Sequence, residues 1–360
     1  MLTFFFEGDD FFRSLQESIA GAKTRVDIEL YYLASDSVGW NFANLFLKKA
    51  KEGVTIRIIY DAIGCRGTSE EIFDVLRDAG VQIKPYNPLF PVNDPMGRRD
   101  HRKYFVIDDR VVFLGGFNLA SEYSAQCSQA KAWRDSGVRC ESPELAARLR
   151  SWIDATWEDR RFLWREFRLR KSLRSDWRNA NPFVLLNHGW RQRSFIREEY
   201  LSAISRARRR IWITNGYFIP DRGILGALRR AARRGVDVRV LTTGESDVPA
   251  ARWASHATYG RLLKSGAKIY EFQGRVLHAK TALIDEDWFT VGTSNIDHLS
   301  FFRNLEINLF GRDAASNDIL SKEFLKDILS SEEITWDRWH QRPWWQRLRE
   351  RIFFLFRVWL

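Results

Sequence analysis

The stretch HRKYFVID beginning at His101 returns as HAKTALID beginning at His278. The two copies align without a gap through a later asparagine, HRKYFVIDDRVVFLGGFN against HAKTALIDEDWFTVGTSN. His101/His278, Lys103/Lys280, Asp108/Asp285, Gly115/Gly292 and Asn118/Asn295 coincide. A duplication of this length constrains the fold more than composition does, because each copy has to sit in one half of a repeated architecture.

The repetition extends upstream. SLQESIAGAKTRVDIELYYL and EYLSAISRARRRIWITNGYFI each read as an amphipathic helix leading into a strand rich in Val, Ile and Tyr. LFLKKAKEGVTIRIIYDA is matched by ALRRAARRGVDVRVLTTG, and VLRDAGVQIKPYNP by LLKSGAKIYEFQG. In each a glycine stands where a helix should be capped, with β-branched residues after it. Helix and strand in alternation predict an α/β fold with mixed or mostly parallel sheets. The organisation expected is a first lobe over 1–158, a basic aromatic connector over 159–183, a second lobe over 184–325 and a C-terminal segment over 326–360.

The runs YFVI and VVFL, like TALI and WFTV, predict adjacent buried strands. Residues two apart on a strand share a face, so His101 projects with Lys103 and His278 with Lys280. Each asparagine follows through a glycine-bearing turn, where the backbone can come close to a ligand. Each half thus offers a nucleophile or base, a fixed cation and an amide donor. That set suits transfer at a phosphodiester, with Lys103, Lys280, Asn118 and Asn295 holding phosphoryl oxygens. No carboxylate cluster or His/Cys spacing of metal type is seen, so neither metal nor cofactor is expected. One histidine would attack phosphorus while the other protonates the leaving alcohol from the opposite side. Two lobes related by a pseudo-twofold axis would supply one active site between them. Asp135, in AWRDSGVRC, and Glu306, in NLEINLF, are candidates for orienting the histidine of their own half. Asp108 and Asp285 end their strands and are read as supports of the fold, though they complete the motif.

The net charge is +11 with fifteen tryptophans, which favours an anionic partner. The basic residues lie beside Trp and Phe in the connector and near the C-terminus, suiting an anionic bilayer better than nucleic acid. In the last segment Trp345, Leu348, Ile352, Leu355, Phe356 and Trp359 recur at helical spacing among arginines, the pattern of a helix lying in a membrane interface. Cys65, Cys127 and Cys140 show no pairing pattern. No run reaches the roughly 18 apolar residues of a membrane span, and MLTFFFEGDDFF lacks the basic start of a secretory signal.

The duplicated HxKxxxxD pattern resembles the phospholipase D superfamily. MGRRDHRK, IDDRVVFLGGFNLASEY, WRDSGVR, GYFIPD, LHAKT, VGTSNID and NLEINL are similar to bacterial cardiolipin synthases, over nearly all of residues 1 to 320. The resemblance implies two tandem phospholipase D-like lobes, each a mixed sheet flanked by helices. It implies transfer of a phosphatidyl group from one phosphatidylglycerol to the hydroxyl of another through a phosphohistidine, releasing glycerol. His101, Lys103, Asp108, His278, Lys280 and Asp285 would form the catalytic set, with His101 as nucleophile and His278 as acid/base. Thr293 stands where the first half has Gly116, so a hydroxyl donor to phosphate is expected in the second half alone. A peripheral enzyme on the cytoplasmic side of the cell membrane is implied, with no oligomer needed to complete the site. Water as acceptor would make a hydrolase; a metal-independent nuclease and a non-enzymatic lipid-binding scaffold are the other readings.

Overall fold

The computed structural model describes residues 2–88, 98–128, 131–158, 181–188 and 194–359. It divides into two compact units, Met1–Ala132 with Ser136–Val184, and Trp133–Asp135 with Leu185–Leu360. The connector expected over 159–183 lies, as far as residue 180, outside the described residues.

In the first unit the strands are β1 (Leu2–Phe5), β2 (Arg25–Leu30), β3 (Thr55–Asp61), β4 (Gln82–Tyr86), β5 (Tyr104–Ile107), β6 (Val111–Gly115) and β7 (Gly137–Glu141). They form one sheet in the order β1-β7-β6-β5-β2-β3-β4. β2, β3 and β4 run parallel, and the remaining pairings are antiparallel. Helices α1 (Gly8–Ala20), α2 (Ser37–Lys51), α3 (Glu70–Asp78), α4 (Ala125–Ser128) and α5 (Pro143–Glu158) accompany it, and α5 packs on β2, β5 and β6.

The second unit repeats this plan. Its strands are β8 (Phe183–His188), β9 (Arg210–Asn215), β10 (Asp237–Thr243), β11 (Lys268–Phe272), β12 (Lys280–Ile284), β13 (Trp288–Gly292), β14 (Leu305–Arg312) and β15 (Ser331–Glu333), in the order β15-β11-β10-β9-β12-β13-β14-β8. Apart from the added β15, this is the first sheet's order strand for strand. Its helices are α6 (Phe195–Arg206), α7 (Arg222–Arg233), α8 (Pro249–Leu263), α9 (His298–Phe302), α10 (Ala314–Leu329), α11 (Trp336–His340) and α12 (Trp344–Leu355). The boundary expected after residue 325 falls inside α10.

Local chemistry explains the repeated joints. Asp36 caps α2 by accepting from the Gly39 N–H at 3.0 Å, and Asp221 caps α7 by accepting from Gly223 at 2.5 Å. After those two helices Gly53 and Gly235 take φ of 86° and 87°, a left-handed turn into the next strand. The motif strands then pair in matching register. Val26 faces Ile107 across β2–β5 as Ile211 faces Ile284 across β9–β12. All of β5 and β13 is buried. Each fully buried large apolar side chain contributes about 1.5–3 kcal/mol, so the motif residues sit on strands that are costly to move.

Arg102, between the motif's His101 and Lys103, points to the opposite face. It is wholly buried there, with Nε 2.8 Å from Asp100 and 3.1 Å from Glu29. The second unit has Ala279 at this place. Burial pushes the Glu29 carboxyl up to about 7, against the opposing pull of Arg102. The same group titrates at about 4.3 in an unfolded chain, so the folded state holds an extra proton between those values. Stability from this group is therefore present at low pH and falls as pH rises through the interval. Thermal unfolding across pH 4 to 8 is expected to show a shallower decline in Glu29→Gln than in the parent; an identical slope would contradict it.

Candidate active site

Each unit presents its histidine and lysine in the same way. Lys103 turns its ammonium back to the His101 carbonyl at 2.9 Å, and Lys280 makes the corresponding bond to the His278 carbonyl. Both lysines are buried. The Lys103 ammonium also lies 5.2 Å over the Tyr31 ring, whose centroid is 5.0 Å from that of His101. Tyr217 and Trp133 flank His278 at 6.1 and 5.4 Å. Burial pulls Lys280 below the ordinary lysine value, while Asp135, Glu306, Asp247 and Asp297 pull it back up.

Asp135 provides the second unit's central contact. Its carboxylate, fully buried, lies 2.6 Å from His278 Nδ1. Asp135, expected from chain order to orient the histidine of its own half, is bonded here to the one in the other half of the sequence. The reason is a backbone graft. Arg134 donates its N–H to the Val276 carbonyl at 2.9 Å and accepts from the His278 N–H at 2.7 Å. The Arg134 guanidinium reaches Asp327 on α10 at 2.8 Å and Glu323 at 3.4 Å. Three residues of the first half's sequence are thereby fixed beside the second motif. With Nδ1 against the carboxylate, the orientation of the imidazole is set.

Glu306 stands at the position equivalent to Asp135. Gly115 pairs with Gly137 and Gly292 with Asn308, which places each acid two residues before the paired position. Glu306 accepts from the Thr293 hydroxyl at 2.5 Å, and the Ile307 N–H donates to that same hydroxyl at 3.0 Å. The Thr293 hydroxyl, expected to donate to phosphate, is bonded here to Glu306 and to the backbone of Ile307.

The motif asparagines share one feature: in both Asn118 and Asn295, Oδ1 is buried without a hydrogen-bond partner. Each of these oxygens is an acceptor without a donor, and the lack falls at the same place in both units. The residue after each asparagine pins it, Leu119 by a bridge to Leu33 and Ile296 by a bridge to Phe218. Gly115 and Gly292 are required by strand packing. A Cβ would stand 2.4 Å from the Ser136 carbonyl oxygen in one and from the Asn308 side chain in the other.

Asp108 and Asp285 have a different duty. Each follows its motif strand with φ of 49° and 51°, a conformation that Asp tolerates better than most residues. The Asp108 carboxylate accepts from the backbone N–H groups of Lys23 and Thr24 at 2.8 Å and of Arg25 at 3.0 Å. Asp285 accepts from those of Arg208, Arg209 and Arg210. Both therefore pin the entry to the neighbouring strand. Burial raises the Asp108 carboxyl, but these donors outweigh it and hold it below its ordinary value. Burial pushes Asp297, which caps α9 beside Asn295, up to about 7. His298 packs its ring on Phe302 at 4.9 Å.

Tyr31, Trp133, Arg134 and Tyr217 escaped the sequence reading. Trp133 and Arg134 flank Asp135 in AWRDSGVRC, and that adjacency is the one signal the sequence offers for them.

Two copies of one mixed-sheet fold, each bearing His-x-Lys and a pinned asparagine, define a phospholipase D-type enzyme. The family described as cardiolipin synthase, phospholipase D-like domain, matches residues 15–157 and 200–328. Cardiolipin synthase 2 of Bacillus cereus is 35% identical over 355 residues, covering 96% of this chain and 68% of that one. Cardiolipin synthase B of Salmonella typhimurium is 34% identical over 361 residues, covering 97% and 86%. In fold, the chain is similar to phosphatidylserine synthase from Haemophilus influenzae, with a TM-score of 0.78 at 14% identity over 100% of this chain and 95% of that one. The chain belongs to the cardiolipin synthase family of phospholipase D-like proteins, phosphatidyltransferases of that superfamily. Among the described residues, no helix is long and apolar enough to cross a membrane.

The two kinds of motif acid separate by experiment. Asp135→Asn is expected to lower the transfer rate by about two to four orders of magnitude with an unchanged far-ultraviolet circular dichroism spectrum, and Asp135→Glu to restore part of it. Asp108→Ala is expected to cost about 2 kcal/mol of stability or more, read by denaturant unfolding. A stable Asp108→Ala chain or an active Asp135→Asn chain would contradict the assignment.

Proposed function

We propose that the protein is a cardiolipin synthase acting on phosphatidylglycerol. The observation that carries this is the pair of register-equivalent His-x-Lys sites, one of them with Asp135 on His278 Nδ1. A histidine held at Nδ1 by a carboxylate offers Nε2 as nucleophile or general base. In the first step Nε2 of His101 attacks phosphorus. An N–P bond forms, the bond to the glycerol oxygen breaks, and His278 gives that oxygen its proton. In the second, His278 takes the proton from a hydroxyl of another phosphatidylglycerol, whose oxygen attacks phosphorus. The N–P bond breaks, and cardiolipin leaves. Two phosphatidylglycerols thus give one cardiolipin and one glycerol.

Lys103 and Lys280 neutralise the phosphoryl oxygens, and the side-chain amide N–H groups of Asn118 and Asn295 donate to them. Asp135 and Glu306 are the orienting carboxylates, and Thr293 acts through Glu306. Asp108 and Asp285 support the reaction by holding their strands. No metal is required, because the lysines carry the charge compensation. Anionic phospholipid is both substrate and surface, and the enzyme works as a peripheral protein on the cytoplasmic side of the membrane, a single chain sufficing.

Purified protein with phosphatidylglycerol vesicles and EDTA is expected to yield cardiolipin and glycerol by mass spectrometry. His101→Ala and His278→Ala should each give none. Phosphatidic acid as the product would make water the acceptor. No lipid turnover, with cleavage of DNA instead, would move the activity to nucleic acid.

A further inference from the structure

The C-terminal helix α12 is amphipathic in an unusual division. One side docks on the second unit, where Phe353 and Phe354 pack against Ile219, Ala251 and Ala254. Glu350, buried on the same side, pairs with Arg342 and lies 3.7 Å from His256, which meets Glu271 at 2.8 Å. The other side is uncovered: Trp345, Leu348, Ile352 and Leu355 form a stripe at helical spacing, Leu355 being 71% exposed; past the helix end Trp359 is 67% exposed, with the Arg303 guanidinium 5.0 Å over its ring. A terminal helix that is firmly docked yet leaves its most apolar stripe in solvent calls for a second partner.

The same helix forms one wall of a cleft of about 250 Å³. Arg261 and Lys264 of α8 line it, with Arg347 and Arg351 of α12 and the rings of Trp336 and Trp339. Among the described residues these four cations have no carboxylate partner. Arg347 donates to the backbone carbonyls of His340 and Arg342, and Lys264 lies 4.9 Å over the Trp336 ring. The one carboxylate lining the cleft, Glu350, is taken by Arg342, which is itself stacked on Trp339. Positive charge therefore gathers around an opening with nothing acidic left to neutralise it.

We infer that this cleft binds the phosphate headgroup of an anionic phospholipid in a bilayer while the neighbouring stripe enters the acyl boundary. Arg347 and Leu348, like Arg351 and Ile352, are adjacent along α12, so charge and apolar surface meet along one line. Their joint complement is an amphiphile: a phosphate beside hydrocarbon, rather than a free anion or an apolar protein face. This site is separate from the His101 and His278 motifs. It shares the lipid with the proposed function but not the residues, and its readout is binding, so it stands or falls apart from turnover.

The test is co-flotation of the full chain with vesicles of phosphatidylcholine alone and of phosphatidylcholine mixed with phosphatidylglycerol. The parent is expected to float with the anionic vesicles in a salt-sensitive manner. Arg261→Glu/Lys264→Glu/Arg351→Glu should weaken that binding by at least about tenfold. Leu348→Ser/Leu355→Ser/Trp359→Ser should weaken it as well. Circular dichroism and turnover of a soluble short-chain phosphatidylglycerol should stay unchanged in both. Parental binding by either variant would overturn the proposal. So would a tryptophan fluorescence response to inorganic phosphate without vesicles, if the cleft variant alone lost it, since the ligand would then be free phosphate.

Discussion

The contact on which the second motif depends is a charge-supported hydrogen bond buried from water, Asp135 to His278 Nδ1 at 2.6 Å. Such a bond is useful only if its carboxylate is held, because a buried acid free to turn would pair elsewhere or take up a proton. Two sets of bonds hold it. The backbone of Arg134 is bonded on both sides to the strand leading into the motif, and its guanidinium is gripped by Asp327 and Glu323. Trp133 on one side and Tyr217 on another limit the tilt of the imidazole. Removing Arg134 or Asp327 leaves its partner's charge buried without compensation, which costs more than the bond lost.

The two units share a plan but not its supporting chemistry. Behind the first motif lies an ionic cluster of Glu29, Asp100 and Arg102; behind the second, at the place of Arg102, stands Ala279. Thr293 supports Glu306 in the second unit, where the first has Gly116. The second sheet adds β15, and α11 and α12 follow it. The motif groups are thus equivalent in register and unequal in surroundings.

Much of this was legible in the chain because it is local. The helix–glycine–strand joints at Gly53 and Gly235 follow from capping chemistry, and the shared face of His101 and Lys103 from strand alternation. Mixed sheets follow from the order of elements. What escaped is non-local. Asp135 is 143 positions from its histidine, and nothing in AWRDSGVRC indicates that it belongs to the other unit. The burial of Arg102 depends on Glu29, which arrives from a different strand. The glycines at 115 and 292 looked like an opening for ligand, and what escaped is that the neighbouring strand requires them. β1 escaped because MLTFFFEGDDFF has no period of two; it forms only by pairing with β7. For the C-terminal helix the sequence pattern pointed to a membrane interface alone; in the fold α12 also docks one face on the second unit.

The most direct test is to quench the enzyme during turnover of phosphatidylglycerol labelled in its phosphatidyl group and ask what the protein carries. A phosphohistidine gives protein-bound label that is lost in acid and kept in alkali, on the peptide containing His101 and absent from His101→Ala. No bound label at any time, or label stable to acid on another residue, would contradict the two-histidine transfer.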